Sequence, residues 1–195
     1  MSAERENRAT IGFLHEAGHL ALQARQGWWM LGIRDPETVA EHSHRAAVVA
    51  YVLAAMEGAD PDRTAVLALF HDLAETRLSD VPSIGKPYLQ TADPVAVVED
   101  QVAGMPLGAA VVERVAEFEA NDTVEARLAR EADKLELILR AREYQAQGHD
   151  TQAWIDSSLA AMRSESGRRL AGAACELDPH DWWRGIASSY GRAGA

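Results

Sequence analysis

Apolar residues recur along most of this chain at steps of three and four, and glycine and proline mark the breaks between runs. In "DPETVAEHSHRAAVVAYVLAAME" the residues Val39, His42, Ala46, Val49, Leu53 and Met56 follow such steps, which places them on one face of an α-helix. Asp35 reads as the N-cap of that helix and Pro36 as its first residue. After the break "GADPDR", the segment "TAVLALFHDLAETR" is apolar on nearly every side, the pattern of a helix surrounded by others. Ser79 to Pro94 contains three prolines and a glycine and is predicted to be mostly loop. Shorter helices are expected near 94–103 and 108–119. A long one should run from an N-cap at Asp122 to just before Gly148, with Ala126, Ala129, Asp133, Leu137, Ala141 and Tyr144 on one face. From about Thr151 the pattern gives two or three more helices, with "DPHDWW" as a break. No run alternates with period two in the manner of a strand. The expected fold is all-α: a single-domain helical bundle over 1–195, with a core of about 25–147 and additional C-terminal helices at about 151–190.

Polar residues interrupt these apolar faces at informative places. His42 points inward with its stripe, whereas His44 lies about 200° around the helix and faces away. His71 and Asp72 sit between the run Leu67–Phe70 and the pair Leu73 and Ala74, and Asp133 falls in the middle of the long helix's apolar face. An ionised carboxylate among apolar side chains is costly unless something compensates it. Taken singly, an inward His is most often a satisfied core residue, and an inward Asp a cap or an ion-pair partner, here of Arg130 or Lys134. Taken together, two imidazoles and two carboxylates from three helices suit one divalent transition metal ion such as Mn²⁺, Co²⁺, Fe²⁺ or Zn²⁺. Periodicity alone leaves both readings open.

Composition narrows the function classes. A chain of 195 residues that is 47% hydrophobic can bury one real core. Its 30 acidic and 19 basic residues give a formal charge of −11, which argues against broad binding of a nucleic acid polymer or an anionic membrane. A small phosphorylated ligand would need local cations. Cys175 is the sole cysteine, so neither a disulfide framework nor a CxxC zinc site is available. The opening "MSAERENRAT" has no apolar h-region behind it, and no run is long enough to span a membrane. A soluble, cytoplasmic protein is the expectation.

Three spaced blocks, "EHSHRAAVVA", "FHDLAE" and "READKLELIL", resemble in order and spacing the H…HD…D pattern of the HD-domain superfamily of metal-dependent phosphohydrolases. Their flanks, "GWWMLGIRDPETVAEHSHRAAVVA", "ALFHDLAETRLSDVP" and "READKLELILRAREYQ", are similar to the subgroup of 5′-deoxynucleotidases, which remove phosphate from deoxynucleoside monophosphates. The likeness runs from about Arg25 to Tyr144. It implies His42, His71, Asp72 and Asp133 as ligands of one divalent metal. It also implies Glu75 and Asp80 as catalytic acidic residues, Arg25 and Trp28 as contacts to phosphate and sugar, and Lys86 as a further substrate-binding residue.

Two departures from the subgroup's pattern stand out. Ser79 replaces a glycine that precedes the second acidic residue. Gln26 and Gly27 also separate Arg25 from the tryptophans, so Trp28 and Trp29 are both candidates for the sugar contact. No histidine lies between Asp72 and Asp133, unlike the dinuclear members of the superfamily, which favours one metal and simple hydrolysis. A homodimer is implied by resemblance only. The alternatives are an HD phosphohydrolase acting on another nucleotide or phosphomonoester such as a guanosine alarmone, a non-catalytic nucleotide-sensing module, and a purely structural helical protein.

Overall fold

The computed structural model describes residues 3–190. Ten α-helices account for most of them: α1 (Ala3–Gly18), α2 (Val39–Glu57), α3 (Pro61–Phe70), α4 (Glu75–Leu78), α5 (Pro94–Gln101), α6 (Gly108–Ala120), α7 (Val124–Ala146), α8 (Gln152–Leu159), α9 (Glu165–Glu176) and α10 (Asp181–Ser189). Among the described residues no strand forms, and a single antiparallel bridge joins Ala24 to Thr38. No described helix is long and apolar enough to cross a membrane. The all-α expectation holds.

Capping chemistry explains where the helices begin, and it corrects two expected starts. The N-cap of α2 is Thr38, not Asp35. Its hydroxyl accepts from Glu41 N at 3.1 Å, while the Glu41 carboxylate accepts from Thr38 N at 2.6 Å, a reciprocal capping box. Pro36 lies before the helix because residues 37–39 are held to the preceding segment: Arg25 N donates to Glu37 O and Val39 N to Gln23 O. At α7 the cap is Thr123 rather than Asp122, its hydroxyl accepting from Ala126 N at 3.0 Å. In the tail, "DPHDWW" is not wholly a break, since Trp182 and Trp183 lie within α10.

The middle of the bundle is the packing of α2 against both α3 and α7. Ala46, Ala50, Leu67, Ala68, Ala126, Ala129 and Ala132 fill that seam, and such small side chains let the helix axes approach closely. The stripe on α2 is buried through Val39, His42, Ala46 and Leu53, but Met56, in the last turn, is exposed. The segment expected to be central is only half so. Thr64, Leu67 and Ala68 of α3 are buried while Leu69 is exposed, and the surrounded elements are α2 and α7. That segment is also broken: α3 stops at Phe70 and α4 starts at Glu75. The C-terminal α8 and α9 pack on the remaining face of α7, around Leu135, Ile138, Tyr144, Ile155 and Met162.

Candidate active site

Three elements meet at the α2–α3–α7 seam, and each delivers predicted ligand residues to it. His42 comes from the first turn of α2 and is fully buried; His71 and Asp72 follow the last turn of α3; Asp133 comes from the middle of α7. One ligand atom each of His42, His71 and Asp72 lies within 4.8 Å of the others. His71 Nε2 is 3.0 Å from Asp72 Oδ2, and His42 Nε2 is 3.9 Å from that same oxygen. Asp133 approaches from the opposite wall, its Oδ1 3.2 Å from His42 Nε2. Close as they are, these atoms are not hydrogen-bonded to one another: His42 Nε2 and Asp72 Oδ2 are buried with no hydrogen-bond partner. Buried polar atoms are nearly always satisfied. Two imidazoles and two carboxylates that converge in the interior with buried atoms left unsatisfied form the arrangement that a divalent cation satisfies, so the residues fit the metal that the sequence pattern implies.

The far side of each imidazole meets an acceptor. His71 Nδ1 lies 2.6 Å from the carbonyl of Ala68, an oxygen that only accepts, so Nδ1 carries the proton and the Nε2 lone pair faces the cluster. His42 Nδ1 lies 2.5 Å from Glu136 Oε2. Burial and the Arg25 charge oppose protonation of His42, yet the carboxylates of Asp133 and Glu136 outweigh both and lift it to about 10 in the metal-free protein. Asp133 is driven well down by His42 and Lys134 in spite of its burial, and Asp72 likewise by His71, Arg25 and His42.

The break after Phe70 places the first catalytic candidate. Leu73 N bonds Phe70 O, Glu75 N bonds Asp72 O and Thr76 N bonds Leu73 O, all of them three-residue bonds that tighten the turn toward 3₁₀ geometry. With three residues per turn, side chains at i and i+3 eclipse, so Glu75 stands over Asp72. Glu75 Oε2 is buried and unpartnered. Burial, reinforced by the charges of Asp72 and Asp80, pushes Glu75 up to about 9. Asp80 is reached through Ser79, whose backbone adopts φ 64°, ψ 157°.

Arg25 and Asp80 come together. Arg25 Nη1 lies 3.4 Å from Asp80 Oδ1 and 3.5 Å from Asp72 Oδ2, and Gln26 N donates to Asp80 Oδ2 at 2.8 Å. The two tryptophans differ in burial. Trp28 is buried at 3%, whereas Trp29 is 51% exposed. Trp28 Nε1 donates to Glu37 Oε1 at 2.9 Å, and its ring meets Tyr144 edge-on at 5.0 Å between centroids.

Most of the predicted site residues line one cavity of about 650 Å³, and His42 lies behind that lining, fully buried. His71, Asp72, Glu75, Asp80 and Asp133 form one part of its lining, together with Arg25 and Trp28. Lys86 lines it from the 79–94 segment, which is mostly irregular with one short 3₁₀ turn at Lys86–Tyr88. Residues that the sequence reading did not assign to the site also line it: Lys134, Arg130 and Trp154. Lys134 is the ion-pair partner that the sequence offers for Asp133: Nζ sits 2.8 Å from Asp133 Oδ2. Arg130 instead donates to Phe118 O and stacks over the Phe118 ring. His44 is exposed on α2, away from the cluster.

Comparison with known proteins agrees with this geometry. The HD domain family matches residues 17–173. Human 5′-deoxynucleotidase HDDC2 is 29% identical, over 89% of this chain and 93% of its own. The mouse protein of the same name is 31% identical over 69% of each chain. A solved structure of a conserved hypothetical protein from Pyrococcus furiosus superposes with a TM-score of 0.73 at 26% identity, over 86% of this chain and 99% of its own.

Proposed function

The chain belongs to the HD-domain phosphohydrolase family, and on that premise we propose that it removes the 5′-phosphate from deoxynucleoside monophosphates, using one divalent metal ion held by His42, His71, Asp72 and Asp133. The observation that carries this reading is the convergence of unpartnered buried donor atoms in a cavity that also presents Arg25, Lys86 and Lys134. The names of the relatives supply the substrate class.

A divalent ion held by these residues would neutralise charge on the phosphoryl group and acidify water. The chain's own residues do the rest. Arg25 offers its remaining guanidinium donors to the phosphate oxygens, held in place by Asp80 and Asp72. Glu75 takes a proton from the attacking water as the new O–P bond forms. It returns a proton to the 5′-oxygen as the old P–O bond breaks. Asp80, anchored by the Gln26 N–H, fixes the Arg25 loop beside the cluster and faces the sugar hydroxyl.

Trp28 has its only N–H committed to Glu37, so the indole presents carbon alone to the sugar. A ribose 2′-hydroxyl against that surface finds no partner. Such a loss costs roughly 1–3 kcal/mol, about one to two decades in kcat/KM.

The test is phosphate release from a panel of deoxy- and ribonucleoside monophosphates with Mn²⁺, Co²⁺, Fe²⁺ and Zn²⁺ in turn. The expected result is metal-dependent release with dAMP preferred over AMP and little demand on the base. No release from any monophosphate with any ion refutes the assignment, and equal kcat/KM for dAMP and AMP refutes the role of Trp28.

A further inference from the structure

One fully buried charged residue beside the site has no part in the mechanism above. Glu136, three residues after Asp133 on α7, has no solvent exposure. Its Oε2 lies 2.5 Å from His42 Nδ1. Its Oε1 accepts from Arg45 Nε at 2.9 Å and Arg45 Nη2 at 2.7 Å, and Arg45 Nη1 is in turn held by Glu143 Oε1 at 2.6 Å. An isolated ionised carboxylate at this depth would be strongly disfavoured. Arg45, braced by Glu143 and carried on the same helix as His42, provides the compensation.

We propose that Glu136 is a positioning residue: it keeps the proton of His42 on Nδ1 and so leaves the Nε2 lone pair free for a divalent cation. The inference rests on the metal reading of the cluster. The imidazole that ligates a cation is neutral and carries one proton, and in this pocket two kinds of acceptor compete for it. On one side Asp133 Oδ1 stands 3.2 Å from Nε2 and Asp72 Oδ2 stands 3.9 Å away. Either would draw the proton onto the nitrogen that must be bare. On the other side an ionised carboxylate at 2.5 Å, fed by an arginine fork, draws it onto Nδ1. His71 needs no such device, because the Ala68 carbonyl of its own turn already accepts from Nδ1. His42 sits in the first turn of α2, and its Nδ1 is served from α7 instead.

Glu136→Gln is the discriminating variant because it keeps size and shape. Arg45 presents only donors, so the amide oxygen must turn toward Arg45 and the amide NH₂ toward His42. Nδ1 then has to accept, the proton moves to Nε2, and the ligand nitrogen is blocked. Outer partners of ligating histidines typically contribute 10–100-fold to metal affinity. The control is Glu131→Gln, a buried carboxylate on the same helix that accepts from Arg163 N, Ser164 N and Ser164 Oγ and touches neither histidine.

The experiment is calorimetric titration of Mn²⁺ into chelator-stripped, full-length protein, with circular dichroism to confirm that each variant is folded. The expected result is a Kd raised 10–100-fold in Glu136→Gln and unchanged in Glu131→Gln. A folded Glu136→Gln protein with wild-type Kd overturns the positioning role and leaves the metal reading intact. So does an equal weakening in Glu131→Gln, which would make the effect one of general packing. Wild-type protein that takes up no Mn²⁺ overturns the metal reading itself, and the inference with it.

Discussion

Ser79 holds φ 64°, ψ 157°, a combination that places Cβ against its own backbone and is populated almost solely by glycine. Nothing in its side chain compensates: the residue is exposed and only its backbone N–H is bonded, to Glu75 O at 2.8 Å. The strain is imposed from both sides. Glu75 must face Asp72, and Asp80 must reach the Gln26 N–H and Arg25 one residue later. Replacing Ser79 by glycine removes a strain of about 1–3 kcal/mol, offset by about 0.5–1 kcal/mol for the greater freedom of glycine in the unfolded chain. The net gain is about 0–2.5 kcal/mol, centred on about 1 kcal/mol, and a chain of this size moves about 2–4 °C in Tm for each kcal/mol. Ser79→Gly should therefore melt higher than wild type, while Ser79→Ala, which keeps the Cβ, should stay within about 0.5 kcal/mol of it. Urea and thermal unfolding followed by circular dichroism, each with metal saturating, measure both variants. A glycine variant no more stable than wild type, or an alanine variant that gains as much, would refute the strain argument. Asp80 keeps its place in either case, so kcat should not change.

Other substitutions test the site and its supports. Asp133→Ala should purify without stoichiometric metal, whereas His44→Ala, altered on the exposed side of α2, should retain it; elemental analysis decides between them. In loaded enzyme Glu75→Gln should keep its metal and lose about 10²–10⁴-fold in phosphate release, with near wild-type turnover counting against a proton-transfer role. The same variant carries a pH signature in the metal-free protein. Glu75 is raised to about 9 from a reference of 4.5, so between those values the unfolded chain has released a proton that the folded chain retains, and stability falls as pH rises. Chelator-treated Glu75→Gln should thus gain Tm over wild type at pH 8 and much less at pH 5, and a pH-independent difference would contradict the assignment. Gly167→Ala would set a Cβ 2.3 Å from Glu131 Oε2 and should destabilise by about 1–3 kcal/mol in urea unfolding.

The faces of α2 and α7 were legible because three- and four-residue steps carry the burial pattern directly, and the four ligand candidates stood out as polar interruptions of it. Helix starts were less legible where cap-forming residues stand close together. Asp35 precedes Thr38 and Asp122 precedes Thr123, and the choice is made by Glu41 completing a capping box and by the pairing of residues 23–25 with 37–39. The break after Phe70 has no glycine or proline to announce it; it is held by three-residue backbone bonds and by the ring of His71 bonding Ala68 O. Helix α1 escaped notice because it buries no residue fully and its sequence is polar. Glu136 left one faint trace. It lies three residues after Asp133, a spacing that puts a second carboxylate near the inward face, but its burial depends on Arg45 arriving from another helix.

Charge shows why composition and site point in opposite directions. At −11 the chain as a whole repels a phosphate monoester, and the cluster itself adds Asp72, Glu75, Asp80 and Asp133. Arg25 is the cation set among them, paired with Asp72 and Asp80, and those charges drive its pKa upward in spite of burial. A phosphate entering such a site meets an arginine already fixed in orientation, so little further ordering entropy is lost when the guanidinium engages it. The carboxylates around Arg25 still have to be offset, and without a metal that compensation falls to Lys134 beside Asp133, to His42, raised to about 10, and to Glu75, raised to about 9. A dication among His42, His71, Asp72 and Asp133 would take over that compensation and draw Glu75 back toward the ionised form that a base requires. Metal binding and phosphate binding in this cavity are therefore expected to reinforce each other: inorganic phosphate should bind the Mn²⁺-loaded protein more tightly than the chelator-stripped protein, and equal affinity for both would refute the coupling.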